Sequence, residues 1–81
     1  MMKKIQVEYV AMLREAAGTA SEEWQTDAKD ALGLYGQICA RHSIAYPSRA
    51  LRVAINDTLT AWSSEIQDGD RVLFLPPSSG G

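Results

Sequence analysis

One helical segment lies in the middle of the chain, with strand-like segments on both sides, and this order limits the possible folds. Between Ala28 and His42 the apolar residues recur every three or four positions, which is typical of an amphipathic helix. We expect Thr26 or Asp27 to cap the start of this helix. Its buried face is predicted to consist of Ala28, Ala31, Leu32, Tyr35, Ile38, Cys39 and His42. A single helix cannot enclose a core, so strands must cover this face.

The segments before the helix predict two paired strands. Apolar and polar residues alternate from Lys4 to Val10, which is the period of a half-buried strand. A short helical turn is expected at Met12–Ala16, and a second strand at Thr19–Thr26. Because so few residues join these strands, we expect them to pair antiparallel.

Three more strands are predicted after a loop that follows the helix, namely Leu51–Ile55, Thr58–Trp62 and Arg71–Leu75. The first and last strands of the chain are the most apolar, so we expect them to be central, parallel neighbours joined through the helix. This order predicts an α+β fold of the ubiquitin-like β-grasp type, a mixed sheet of four to five strands with one main helix packed on it. Residues 1–75 would form this domain, and residues 76–81 a flexible tail.

Composition excludes several classes of function. The chain has 81 residues, 46% of them apolar and 22% charged, which is enough for one globular domain. Its net charge of -2, without clustered Lys or Arg, argues against a nucleic-acid partner. No stretch approaches the roughly 20 apolar residues of a membrane span, and the start lacks a signal-peptide pattern. The single cysteine allows no internal disulfide and no Cys-rich metal site, so we expect a cytoplasmic protein without a bound metal.

The chain ends in Pro76-Pro77-Ser78-Ser79-Gly80-Gly81, and this tail is the main candidate for chemistry. The prolines end the last strand, and six extended residues reach about 20 Å. Glycines at the tip would allow it to enter a narrow channel. The reactive group there is the α-carboxylate of Gly81, which adenylation by ATP would activate toward sulfur or toward a lysine. Ser-Ser-Gly-Gly is also typical of a flexible linker, so the tail alone leaves these alternatives open.

The ending resembles the C-terminus of the molybdopterin synthase small-subunit family. Asp68-Gly69-Asp70, Val72 and Pro76-Pro77 followed by Gly80-Gly81 match the family's DGD-x-V and P-P-x-x-G-G patterns. Further similarity lies in the preceding hairpin and near the N-terminus, at Asn56, Leu59, Leu13-Arg14-Glu15 and Gly18. The departures are Ser78-Ser79, where the family has a hydrophobic residue and Thr, and Leu75, where an aromatic residue is common; the two glycines within the main helix, Gly33 and Gly36, are also unusual.

The resemblance implies a sulfur carrier that is not an enzyme on its own. An adenylating activating enzyme would use ATP to adenylate Gly81, and a sulfur donor would convert it to a thiocarboxylate. The loaded tail would then enter the large synthase subunit, within a heterotetramer, and donate sulfur to cyclic pyranopterin monophosphate to form the molybdopterin dithiolene. The catalytic lysines and arginines would lie on the large subunit, and this chain would hold no permanent cofactor. A carrier for thiamine or cysteine synthesis, a ubiquitin-like modifier and a plain binding domain remain alternatives.

A carrier that visits several enzymes needs a docking surface. If Val72 and Phe74 face the helix, Leu73 and Leu75 face the other side of the sheet. An exposed apolar patch is therefore predicted from Val10, Leu59, Leu73 and Leu75. The resemblance implies partner contacts at Val10, Leu59 and Leu75, and the tail residues Pro76, Pro77, Ser78 and Ser79 are expected to bind the partner as well. The alternative is that these apolar residues are exposed singly or covered by loops.

Five other residues are candidates for a particular role. Arg14 is expected near the base of the tail, where it either pairs with an acidic group of a partner or is simply solvated. His42 is predicted at the end of the helix, where a cation is favoured by the helix dipole. Cys39 is interpreted as an inert core thiol. Trp24 and Trp62 are interpreted as packing residues.

Overall fold

The fold is built on one five-stranded sheet and a helix that covers one of its faces. The structure, a computed structural model, describes residues 2–76, so the predictions for Pro77, Ser78, Ser79, Gly80 and Gly81 lie outside the described residues. The elements in chain order are β1 (Lys3–Tyr9), α1 (Ala11–Ala17), β2 (Ser21–Thr26), α2 (Ala31–His42), a 3-10 turn (Ser48–Ala50), β3 (Arg52–Ile55), β4 (Thr58–Thr60) and β5 (Arg71–Leu75).

The strand order in the sheet is β2-β1-β5-β3-β4. The first and last strands are parallel neighbours, with Val7 beside Val72 and Tyr9 beside Phe74. Every other neighbouring pair is antiparallel. The prediction of a mixed-sheet α+β β-grasp is therefore confirmed, with five strands. The predicted hairpin of the first two strands and their short connecting helix are confirmed as well.

The core lies between α2 and the face of the sheet that we call the covered face. From the central strands, Ile5, Val7 and Tyr9 of β1 and Val72 and Phe74 of β5 are buried. Trp62 stacks on Phe74, with ring centroids 5.8 Å apart and an interplanar angle of 9°. Tyr35 of α2 lies 5.2 Å from the same ring. The interpretation of Trp62 as a packing residue is thus correct, and Trp24 also packs against the core.

The start of the main helix differs from the prediction. The helix begins at Ala31, not Ala28, and its cap is Asp30, whose side chain accepts a hydrogen bond from the Gly33 amide at 2.9 Å. The hydroxyl of Thr26 instead accepts from the Ala28 amide, at 2.9 Å. Residues 27–30 lie outside the helix, and the end of this segment is bonded to another one: the Lys29 carbonyl accepts from the Ile66 amide, and Asp30 forms an isolated bridge with Glu65.

The buried face of the helix is also corrected. Leu32, which the sequence predicts on the buried face, is 49% exposed, whereas Leu34 is fully buried. Cys39 and His42, predicted on the buried face, are half-buried at its edge. The buried residues of α2 follow the i, i+3, i+4, i+7 spacing expected of an amphipathic helix: Ala31, Leu34, Tyr35 and Ile38.

Two turns hold the strands near the beginning of β5. Asn56 and Asp57 both have positive φ, of 52° and 72°, which suits the two-residue connection of β3 to β4. The Asn56 side chain accepts from the Arg71 amide at 3.0 Å and donates to Asp70 at 2.9 Å. At the second turn, Asp68 accepts from the Lys4 amide at 2.7 Å. Side chains at both predicted turns therefore fix β5 against its neighbours.

The predicted fourth strand is too long, because β4 ends at Thr60 and the chain then turns so that Trp62 reaches the core. Within residues 2–76, no helix is long and apolar enough to cross a membrane.

Candidate functional site

The face of the sheet turned away from α2, called the open face, carries an apolar row at its centre. Leu59 of β4 is beside Ala54 of β3, and Ala54 is beside Leu73 of β5. Leu73 is in turn beside Glu8 of β1. Because side chains alternate along a strand, these residues point to the opposite side from Val72 and Phe74. The apolar row therefore crosses three neighbouring strands.

The predicted patch lies around this row. Leu59 is 57% exposed and Val10 is 37% exposed, while Leu73 and Leu75 are half-buried. Continuing the register of β1 and β5 by one residue puts Val10 beside Leu75. Leu59, Leu73 and Leu75 thus share the open face, and Val10 lies where β1 gives way to α1. Partner binding by this patch stays a prediction.

Ala54 was missed as part of this surface. It is only 6% exposed, yet it does not belong to the core cluster, because it lies on the open face among larger side chains. The alternation of Val53 and Ile55 with Arg52 and Ala54 was the available signal, since it placed Ala54 opposite to the core. Ala54 therefore belongs to the apolar row, between Leu59 and Leu73.

Charged residues border the open face at the beginning of β5, away from the tail. Arg71 forms ion pairs with Asp57 and with Glu8, the latter at 3.7 Å. A hydrogen bond and the charge of Arg71 lower the pKa of the Asp57 carboxyl. The open face is therefore charged where β5 begins, whereas at the end of β5 it carries Leu75 beside the exposed Arg52.

The base of the tail lies where β5 ends. Pro76 follows β5 directly and is half-buried. Helix α1 contacts β5, and its exposed Arg14 therefore lies on the side of the domain where β5 ends. The amide of Gly18, which has a φ of 77°, closes α1 by donating to the Arg14 carbonyl at 2.9 Å. Arg14 takes part in none of the ion pairs among residues 2–76. Its pairing with a partner stays a prediction.

A polar cluster that the sequence did not predict fastens the end of α2 to the β1–β2 hairpin. Glu22 lies 2.7 Å from the His42 ring nitrogen and accepts from the Tyr9 hydroxyl at 2.5 Å. Burial acts to raise the pKa of Glu22, but the hydrogen bonds from Tyr9 and His42 outweigh it and lower that pKa. Burial and the bond to Glu22 raise the pKa of Tyr9. The expected position of His42 at the helix end is confirmed, but its contact is a carboxylate of another element.

Tyr9, Glu22 and His42 form hydrogen bonds with one another, which indicates that this cluster has a structural role. Within residues 2–76, no group of three or more His, Cys, Asp and Glu side chains is arranged to hold a metal ion. Two candidates for a functional site remain: the apolar patch on the open face, and β5 with the tail that follows it.

The family of the chain follows from comparison with known proteins. Residues 7–81 match the model of the ThiS family, and this match extends through the final Gly80-Gly81. The chain belongs to the ThiS family. A curated relative, the molybdopterin synthase sulfur carrier subunit of Escherichia coli (strain K12), is 34% identical over 80 residues, which cover 95% of this chain and 99% of that protein.

Solved structures give the same result for the fold of this ThiS-family chain. A molybdopterin converting factor subunit 1 from Pyrococcus furiosus has a TM-score of 0.78 and 28% identity, covering 94% of this chain and 99% of that one. Small archaeal modifier protein 1 (SAMP1) from Methanosarcina acetivorans has a TM-score of 0.81 at 21% identity, covering 100% and 99%. The complex of subunits 1 and 2 of the molybdopterin-converting factor from Helicobacter pylori 26695 contains a chain with a TM-score of 0.63 at 24% identity, both chains being covered in full. The last two similarities concern the fold alone.

Proposed function

We propose that this chain is the sulfur carrier subunit of molybdopterin synthase. The observation that carries the proposal is that the family match runs through Gly81, while a relative of that function is 34% identical over 95% of the chain. The ending that resembles the small-subunit family is thus part of a similarity that spans the domain. The likeness to SAMP1 concerns the fold and does not by itself favour a modifier.

The proposed chemistry takes place at the Gly81 carboxylate. An activating enzyme brings this carboxylate to the α-phosphorus of ATP, and pyrophosphate leaves as the acyl adenylate forms. Sulfide (HS⁻) from a donor attacks the acyl carbon, AMP leaves, and the carboxylate becomes a thiocarboxylate. The thiocarboxylate sulfur is then the nucleophile: it displaces an oxygen from a carbon of cyclic pyranopterin monophosphate, and water cleaves the resulting acyl–sulfur bond, which leaves the sulfur on the pterin and returns Gly81 to a carboxylate. ATP is a substrate of the activating enzyme, and this chain holds no cofactor of its own.

The structure supports this role through the strand that leads to the tail. β5 is a central strand, hydrogen-bonded on both sides, and its Phe74 is fully buried two residues before Pro76. A tail that starts from such a strand has a fixed base, so docking of the domain would define where the tail enters a partner. A reach of about 20 Å from that base is available to six residues.

The proposed partners are the large synthase subunit, the activating enzyme and a sulfur donor, all in the cytoplasm. We propose that the first two bind the apolar patch of Val10, Leu59, Leu73 and Leu75 in turn, with Arg14 pairing with an acidic group at its edge. In the assembled heterotetramer, the catalytic residues belong to the large subunit. The Escherichia coli relative is by its name one subunit of molybdopterin synthase, which supports assembly with another subunit here.

A single-turnover assay tests the proposal. The chain is prepared with a thiocarboxylate at Gly81 by intein cleavage with sulfide, and is mixed with the cognate large subunit and cyclic pyranopterin monophosphate. We expect molybdopterin in proportion to the loaded chain, and none from the matched carboxylate chain. A large subunit that is active with another loaded carrier, but yields no product with this one, contradicts the proposal. Isopeptide adducts with lysines would favour a modifier instead.

A further inference from the structure

A groove of about 370 Å³ lies at the outer edge of the sheet, beside but not within the predicted patch. It is found where β3 begins and β4 ends, and Leu59 is the one residue that it shares with the patch. Its lining combines cationic and apolar side chains: Arg49, Leu51, Arg52, Leu59, Thr60 and Trp62. This mixed lining differs from the apolar centre of the open face.

The two arginines of the groove have no carboxylate partner among residues 2–76. The ion pairs of this part of the chain engage Lys4, His42 and Arg71, and neither Arg49 nor Arg52. Both arginines are exposed, in a chain whose net charge is -2. Guanidinium groups prefer carboxylates, which they bind through paired hydrogen bonds. The groove is therefore complementary to an acidic group next to apolar surface.

The strand beside the groove offers free backbone groups. β4 is an outer strand of the sheet and pairs only with β3. Ile55 and Thr58 close the two-residue turn, so the hydrogen-bonded pairs with β3 are Ile55–Thr58 and Val53–Thr60. The N–H and C=O of Leu59 therefore point out of the sheet edge, where an extended segment could pair with them.

We propose that this groove binds an extended, acidic segment of a partner protein. The segment pairs with the outward backbone groups of Leu59, its Asp or Glu side chain pairs with Arg49 or Arg52, and an apolar side chain packs against Trp62. The proposal deepens the docking part of the proposed function, because it names the chemistry of one partner contact. It does not depend on any reaction at Gly81.

The chain's own tail is the competing occupant, because Gly81 also ends in a carboxylate. Fixing residues 77–81 would cost backbone entropy at every residue, including two glycines, and exposed ion pairs give little in return. A segment that is already extended within a folded partner avoids most of that cost. The groove is therefore assigned to a partner rather than to the tail.

The test uses a blocked peptide of alternating Val and Asp, with a Val and Asn peptide of equal length as the matched control. Each is titrated to millimolar concentration into the isotope-labelled full chain and followed by NMR. We expect the acidic peptide to shift the Leu59 amide and the Trp62 indole signals and to slow hydrogen exchange at Leu59. The double variant Arg49→Gln, Arg52→Gln should weaken this binding by about fivefold or more.

Several results would overturn the proposal. These are the absence of shifts at millimolar acidic peptide, equal binding of the Asn peptide, or binding that the double variant leaves unchanged. Removing residues 77–81 is the decisive control for the tail. If that truncation shifts the same groove signals as the peptide does, the tail occupies the groove and the proposal is wrong. Since no sulfur transfer is involved, failure here is distinct from failure of the carrier function.

Discussion

The two faces of the sheet use the same strand for different purposes. On β5, Val72 and Phe74 are fully buried against α2, whereas Leu73 and Leu75 between and after them are half-buried on the open face. The covered face contributes the stability of the domain, and the open face is the proposed site of partner binding. Side chains alternate between the two faces along a strand. Substitutions at neighbouring residues of β5 are therefore expected to differ in effect: those on the covered face should lower stability, and those on the open face should weaken partner binding.

The largest expected effect concerns the covered face. Phe74→Ala should lower the free energy of unfolding by about 3–5 kcal/mol, because the ring is fully buried and packs against both Tyr35 and Trp62. Leu73→Ala, one residue earlier on the open face, should cost about 1 kcal/mol. Urea denaturation of the two variants measures both effects. Equal losses of unfolding free energy in the two variants would contradict the distinction between the covered face and the open face.

On the open face the expected effect is on binding. Leu59→Asp should weaken binding of the cognate large subunit by about tenfold or more, since it puts a charge into the apolar patch. Its stability should change by less than about 1 kcal/mol, because Leu59 is 57% exposed. Calorimetric titration measures the binding. Thr58→Asp places the same charge on the neighbouring exposed residue and serves as control; a large loss of stability in Leu59→Asp would instead place Leu59 in the core.

The Glu22 cluster lies on the covered side and should affect stability in a pH-dependent manner. The pKa of Glu22 is lowered below its ordinary value of 4.5, so its contribution is present above that value and is lost as the pH falls through the lowered pKa. Glu22→Gln should cost about 1–2 kcal/mol at neutral pH and should flatten the fall of stability below pH 4.5. Urea denaturation at a series of pH values measures this.

The matched control for Glu22 is its neighbour Glu23, whose contact is an exposed ion pair to Lys4 at 3.8 Å. Glu23→Gln should leave both the stability and its pH dependence nearly unchanged. If the stability of Glu22→Gln falls below pH 4.5 as steeply as that of the original chain, the Glu22 cluster does not stabilise the packing of α2 against the β1–β2 hairpin.

The smallest expected effect lies at the edge of the covered face. The hydroxyl of Thr60 is buried and has no hydrogen-bond partner among residues 2–76. Replacing it by the isosteric Thr60→Val should raise the free energy of unfolding by up to about 1 kcal/mol, because a buried unpaired hydroxyl is unfavourable. Thermal melts of the two chains measure this difference. A less stable Thr60→Val would mean that the hydroxyl is in fact bonded in solution.

The sequence predicts the sheet better than it predicts the helix. The apolar character of β1 and β5 favours neighbouring central positions in the sheet. The segment between them contains α2 and is long enough for a crossover, so the two strands are expected to be parallel. The start of α2 depends on a distant contact, the pairing of Lys29 and Asp30 with residues 65 and 66, which no local pattern encodes. The same holds for Glu22, whose partners come from β1 and from the end of α2. At the site, the patch residues follow from strand alternation, whereas the groove with Arg49 and Arg52 depends on how the loop before β3 folds.

The most direct test of the central claim is the intact mass of the chain after incubation with its activating enzyme, ATP and a sulfur donor. The carrier account predicts a species heavier by the difference between one sulfur and one oxygen atom, dependent on ATP and absent when Gly81 is deleted. The thermal melt of the deleted chain should remain nearly unchanged, because the tail follows the last strand of the domain. Sulfur loading that survives deletion of Gly81 would contradict the account.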